Sequence, residues 1–252
     1  MKRDGHSLTD LPWTALERSV SVLVPLGSTE QHGHHLPLNT DTTIATAVAH
    51  AVAGRLSGRK PSSVILVAPP INYGASGEHQ DFPGTISIGN KALRFQLIQL
   101  VRSLSTWAGR IVIINAHGGN LKTLVGAVSQ LINERHNVSW AACATEERDA
   151  HAGHIETSLM LHLAPDLVDM SRAERGNITP LDQLLPAIID SGVAHVSPSG
   201  VLGDPTAASA EEGARIFASM VEDVAARIEC NRPGPSGCLQ RSEVSYADSS
   251  AV

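Results

Sequence analysis

Aromatic residues make up only 3% of this 252-residue chain, so Ala, Val, Leu and Ile must pack its core. No apolar run approaches the roughly 20 residues needed to cross a bilayer, and no membrane role is expected. The N-terminal stretch MKRDGHSLTDLPW is too polar to hold the apolar centre of a signal peptide. Basic residues are outnumbered, 19 against 25 acidic ones, for a net charge of −6. No Lys/Arg cluster offers a footprint for a phosphate backbone, so no nucleic-acid partner is expected. The three cysteines form no CxxC pair, which leaves out zinc-ribbon and thioredoxin-like motifs. No structural disulfide is expected either, and the expected compartment is the cytoplasm.

What is present is a chain that is 42% hydrophobic, enough for one large core. Short aliphatic runs alternate with helical patterns. SVSVLVPL (19–26), SSVILVAPP (62–70), RIVIINAHGGN (110–120) and VSWAACA (138–144) read as buried strands. The segments 41–56, 91–108, 122–136 and 209–229 have helical spacing, and 151–163 reads as a loop entering a helix. Continuous apolar strands between amphipathic helices predict an α/β fold: a mostly parallel sheet with helices on both faces. It forms a single domain over residues 1–230. The Ser-, Gly- and Pro-rich tail, 231–252, is predicted to be disordered. Region 165–208 reads as mixed and turn-rich. Within 200–209, Gly203-Asp204-Pro205 is turn chemistry, and Ser209 with Glu212 fits a capping box.

Ligands of open α/β sheets gather beyond the carboxyl ends of the strands. Three ionisable clusters sit there. The first follows the 19–26 strand in VPLGSTEQHGHHLPLNTD, with Glu30 and His32 spaced to face one side of an extended segment. Asp41 stands at the start of the next helix, where a carboxylate is favoured and each oxygen could serve a different cation. His117 follows the 110–115 run beside two glycines, and Glu156 opens a helix in HAGHIETS. Two imidazoles and three carboxylates form a mixed N/O set suited to Zn²⁺, Fe²⁺ or Mn²⁺. Such a set would hold two ions roughly 3.5–4 Å apart that together activate water. His151 is the candidate proton shuttle for a departing nitrogen, with orientation of a ligand as its other role. His35 is a candidate supporting residue, and His34 is placed outside. In the long Gly-rich loop 71–89, Ser76, Glu78 and His79 are candidates for binding a polar substrate end. His6, His50, His136, His162 and His195 are given structural or solvent roles.

These residues carry a resemblance. GSTEQHGHHLPLNTD resembles the signature of the creatininase (creatinine amidohydrolase) family, and NAHGGN and HAGHIETS match its later motifs in order. The resemblance covers residues 10–230. It implies an α/β fold, a homo-oligomer that is often a hexamer, and hydrolysis of C–N bonds at a two-metal centre. By resemblance Glu30, His32, Asp41 and His117 are metal ligands, with Asp41 as the bridge. INYGASGEHQDFPGTISIG, WAGR and VSPSGVLGDP are most similar to one branch of the family. That branch removes a C-terminal Val-Tyr dipeptide from a small ribosomally made precursor, modified beforehand by a radical enzyme, on the way to a redox cofactor. It implies iron and zinc as the metals, with manganese also compatible. Two departures stand out. Creatinine-hydrolysing members have Glu where this chain has Gly119, which makes Glu156 the expected replacement ligand. His34 stands where relatives have Pro. The alternatives are a deformylase acting on a formamidopyrimidine nucleotide and a non-catalytic precursor-binding protein.

Overall fold

The computed structural model describes residues 5–16, 20–59, 64–145 and 150–241. Four strands, β1 (Ser21–Leu26), β2 (Ile65–Val67), β3 (Arg110–Asn115) and β4 (Val138–Ala142), form one parallel sheet in the order β2-β1-β3-β4. Their aliphatic side chains are buried on both faces, as a parallel sheet between helical layers requires. Seven helices accompany them among the described residues: α1 (Thr40–Arg59), α2 (Gly89–Leu104), α3 (Leu121–Asn133), α4 (His154–Leu163), α5 (Leu181–Ser191), α6 (Val193–Val196) and α7 (Ala210–Cys230).

Alternation along the strands sorts the core into two layers. Leu23, Val112 and Ile114 pack with Ile44 and Val48 of α1, Leu159 of α4 and Val224 of α7. Val22, Val24, Ile111 and Ile113 point the other way, onto Leu93 and Leu97 of α2 and Leu124 of α3. The predicted α/β sandwich is therefore the observed one. No helix among the described residues is long and apolar enough to cross a membrane. The cysteines Cys143, Cys230 and Cys238 are free thiols.

One expectation needs correction. Residues 231–241 are not a disordered tail. Trp140 on β4 donates its backbone N–H to Gly237 and its Nε1–H to Ser236, and Leu239 is completely buried in the core. Burying that leucine is worth about 1.5–3 kcal/mol, only part of the roughly 1–2 kcal/mol per residue that ordering the segment costs, so the bonds to β4 and the rest of the packing supply the remainder. Region 165–208 also contains α5 and α6, whose side chains Leu184, Ile188 and Val193 make a small core of their own with Leu202. Ser19, Ser62 and Ser63, predicted to begin strands, and 242–252 of the predicted tail lie outside the described residues. Ser209 caps α7 as expected, accepting the Glu212 N–H at 3.2 Å.

The strand order places the site. β1 leads by way of α1 to β2 on one side, while β3 pairs with β1 on the other, so the chain reverses direction across the sheet between β1 and β3. Their carboxyl ends are level, with Leu26 beside Asn115. A crevice opens at such a reversal.

Candidate metal centre

The segment leaving β1 turns into that crevice. Ser28, Glu30 and His32 are completely buried there. Glu30 donates its N–H to the Leu38 carbonyl at 3.0 Å, which closes the loop before α1. Asp41 lies in the first turn of α1, where the free amide ends favour a carboxylate. His117 follows β3, and the Asn115 side chain donates to its carbonyl at 2.8 Å. Glu156 is in the first turn of α4 and accepts the Ala152 N–H at 2.6 Å.

All five residues proposed as ligands meet. Asp41 divides its oxygens: Oδ1 is 3.2 Å from His32 Nε2, and Oδ2 is 3.2 Å from His117 Nδ1. Two triads able to hold an ion share that carboxylate, namely Glu30, Asp41 and His117, and His32, Asp41 and Glu156. Glu30, His32 and His151 make a third overlapping group. His32 Nδ1–H donates to the Glu30 carbonyl at 3.1 Å, so its Nε2 is left to face Asp41 and Glu156. Fixing the tautomer through the second nitrogen is the usual way a ligating imidazole is oriented.

The electrostatics are those of a cradle short of positive charge. Burial and the nearby Asp41 push the Glu30 carboxyl up to about 7. Burial alone would lower His32 and His117, but Asp41 and Glu156 around the one, and Glu30 and Asp41 around the other, raise each to about 10. Asp41 is held well below the usual carboxylate range: burial opposes its ionisation, and the two imidazoles outweigh it. Neither oxygen of Glu30 accepts a well-formed hydrogen bond, although the side chain is fully buried. A buried carboxylate in that condition costs several kcal/mol unless a cation meets it, a part that the protonated His117 ring takes 3.2 Å from Glu30 Oε2.

The other candidates fall around this centre. His151 is buried, and its Nε2–H donates to the Gln31 carbonyl at 2.9 Å, which turns Nδ1 towards Glu30 Oε1 at 3.8 Å. Burial first, and then the nearby His32 and His79, lower its pKa well below the ordinary value. His79 is buried with Nε2 3.4 Å from Glu30, and burial lowers its pKa to about 3. Ser76 is fully buried, with Oγ 3.4 Å from His117 Nε2. Glu78 reaches the cavity, its Oε1 3.6 Å from His117 Nε2. His35 hydrogen-bonds Thr157 at 2.8 Å behind the loop, whereas His34 is half-exposed beside Glu174.

Residues 9–228 match the Creatininase family, described as creatinine amidohydrolase. The chain belongs to the creatininase family. It is 57% identical over 221 residues to the mycofactocin precursor peptide peptidase of Mycobacterium ulcerans (strain Agy99), covering 87% of this chain and 88% of that one. Among solved structures it resembles a creatininase variant of zinc–zinc type, with TM-score 0.77 and 27% identity over 90% of this chain and 98% of that one. It also resembles a manganese creatininase, with TM-score 0.73 and 27% identity over 90% and 98% of the two chains. Creatininases of this fold thus hold zinc or manganese, and this chain brings together His, Asp and Glu side chains that could hold a metal ion.

Several residues of the site escaped the sequence reading. Gln31 sits between the two predicted ligands and sends its Nε2 to His79 Nδ1 at 2.8 Å. Gly200 makes room for it, because a Cβ there would collide with the Gln31 side chain. Asn120 ties the loops together, accepting from Ala75 N and donating to the Gly27 carbonyl, both at 2.9 Å. A cavity of about 150 Å³ opens over His117, Glu78 and Glu156, and its far wall is apolar: Leu181, Leu185, Ile188, Val193 and Leu202. Nothing in periodicity or motif spacing relates α5 to the metal cluster.

Proposed function

We propose that this protein is a metal-dependent peptidase that hydrolyses the peptide bond releasing a C-terminal Val-Tyr dipeptide from the modified mycofactocin precursor. The observation that carries the reading is the division of Asp41 between two donor triads, next to a cavity with an apolar far wall. The donor set fits two divalent ions: the buried oxygens of Glu30 lack hydrogen-bond partners, and no cysteine belongs to the ligand groups among the described residues. Burial and Asp41 keep the Cys143 thiol of the neighbouring cavity protonated, pushed up to about 12. Glu30 and His117 with Asp41 would hold one ion, and His32 and Glu156 with Asp41 the other. We take iron and zinc as the native pair, with manganese able to substitute, since imidazole and carboxylate suit all three. When bound, the ions supply an activated water and polarise the scissile carbonyl.

The chain's own residues do the remainder. The backbone carbonyl of Glu30 orients His32, and Ala152 N–H holds Glu156 in place. Neutral His151, with Nδ1 directed into the centre, takes the proton released on attack and passes it to the departing nitrogen. Leu181 and Leu185 face the cavity while remaining about two-fifths exposed, 41% and 42%, so an apolar peptide end would cover them. Among the described residues lining this cavity and its neighbour there is no Lys or Arg. That supports a peptide over a phosphorylated nucleotide, whose anion would need a cation to meet it.

The same reading places the enzyme in the cytoplasm, where free thiols persist, and as a homo-oligomer, with a hexamer as the expected form. Exposed Trp13, Phe95 and Ile189 offer apolar surface for further copies to cover. Incubating the metal-loaded protein with modified precursor and following Val-Tyr release by mass spectrometry tests the activity. Intact precursor under those conditions, with cleavage of a formamide instead, would overturn it.

A further inference from the structure

Gly119 carries no side chain, and the structure shows what fills the space beside it. A Cβ built on Gly119 would collide with Glu78 Oε1 and come within 2.5 Å of both the Ala75 carbonyl oxygen and His117 Nε2. A side chain at 119 and the present seat of Glu78 exclude one another. The group occupying that space is the Glu78 carboxylate, delivered by the short turn Gly77–His79. We propose that Glu78 is a further oxygen ligand of the metal pair, standing beside His117 in the place that Gly119 leaves open. This rests on the two-ion reading above.

Three observations carry it. First, Glu78 Oε1 and Glu30 Oε2 converge on the same ring nitrogen, His117 Nε2, at 3.6 and 3.2 Å. Glu30 is the fully buried carboxylate that lacks hydrogen-bond partners, so Glu78 extends a donor set that already demands a cation. Second, Glu156 does not reach the space beside Gly119 in the same way. It lies on the His32 side, 3.8 Å from His32 Nε2, and is fixed there by the Ala152 N–H. The replacement expected from sequence and the residue filling the vacancy are therefore different glutamates. Third, Glu78 lines the same cavity as Asp41, His117 and Glu156, and no Lys or Arg among the described residues lining it competes for the carboxylate.

Metal content tests this in the full-length chain. Glu78→Ala and Glu78→Gln are prepared beside wild type, stripped, and titrated with Zn²⁺ and with Co²⁺, whose visible absorption reports the number of ligands. Wild type is expected to take up two ions. Both variants are expected to bind one of the two at least about tenfold more weakly, since even partners outside the ligand set cost 10–100-fold when lost. Their Co²⁺ spectrum should also change. Formate added to Glu78→Ala should restore the affinity, which a merely structural role for Glu78 would not allow. Variants that match a two-ion wild type in stoichiometry, affinity and spectrum overturn the assignment of Glu78 alone. A wild-type chain that fails to take up two ions removes the reading on which it rests.

Discussion

Ser28 donates its hydroxyl to Asp41 Oδ2 at 2.7 Å, both side chains buried, and so fixes the carboxylate that the two halves of the centre share. The serine leaves β1 and the aspartate begins α1, so this bond also joins the strand end to the helix start. Ser28→Ala removes it without touching a proposed ligand. Metal affinity should fall about 10–100-fold, as for other partners that orient ligands. Titration against a competing chelator measures this, and affinity equal to wild type would show that packing alone orients Asp41.

Single ligand removals should differ in kind. His32→Ala and His117→Ala are each expected to leave one ion bound, because they belong to different triads. Asp41→Ala should lose both ions and all turnover. Elemental analysis of the purified variants reads the count directly, and two ions retained in Asp41→Ala would show that the bridge is misplaced.

Binding of the ions should release protons. In the metal-free protein His32 and His117 are raised from the ordinary 6.5 to about 10 by the surrounding carboxylates. Their ring protons are therefore present at neutral pH and must leave before the nitrogens can ligate. Affinity should rise with pH over this range. The sign for stability follows from the same shift. A raised folded-state pKa stabilises the metal-free fold fully below 6.5, and that contribution disappears as pH climbs towards 10. Thermal melts of stripped protein should show this decline, and metal-loaded protein should not. Parallel curves for the two forms would contradict the exchange of protons for metal.

His151→Ala should keep its metals and lose rate, on the order of 10²–10⁴-fold, if the imidazole moves the proton to the leaving nitrogen. An unchanged rate with full metal content would end that role.

Leu185→Asp puts a charge on the apolar wall facing the ions. KM for the precursor should rise more than about tenfold, with metal content intact, since burying an unpaired carboxylate against apolar substrate costs several kcal/mol. A wild-type KM would show that the peptide end lies elsewhere.

Much of this architecture is legible in the chain itself. β1 and β3 are continuous aliphatic runs, and Glu30, His32, Asp41 and His117 follow them in dense, unusual spacing at strand ends. The rest is hidden for identifiable reasons. Gln31 alternates away from its neighbours, and its partners His79 and Gly200 come from remote parts of the chain. Helix α5 contains Pro186, which removes an amide donor and masks the helical pattern in a turn-rich region. Residues 231–241 have the composition of a disordered segment, yet one leucine and the bonds to Trp140 hold them down. Glu78 read as a candidate for binding a polar substrate end, because nothing in the sequence relates its loop to the space beside Gly119.

The central claim is that one carboxylate, Asp41, joins two cations. Anomalous diffraction from crystals of the metal-loaded protein tests it most directly. Two peaks are predicted, one beside Glu30 and His117 and the other beside His32 and Glu156, with an Asp41 oxygen turned to each. A single peak, or peaks away from Asp41, would contradict the account.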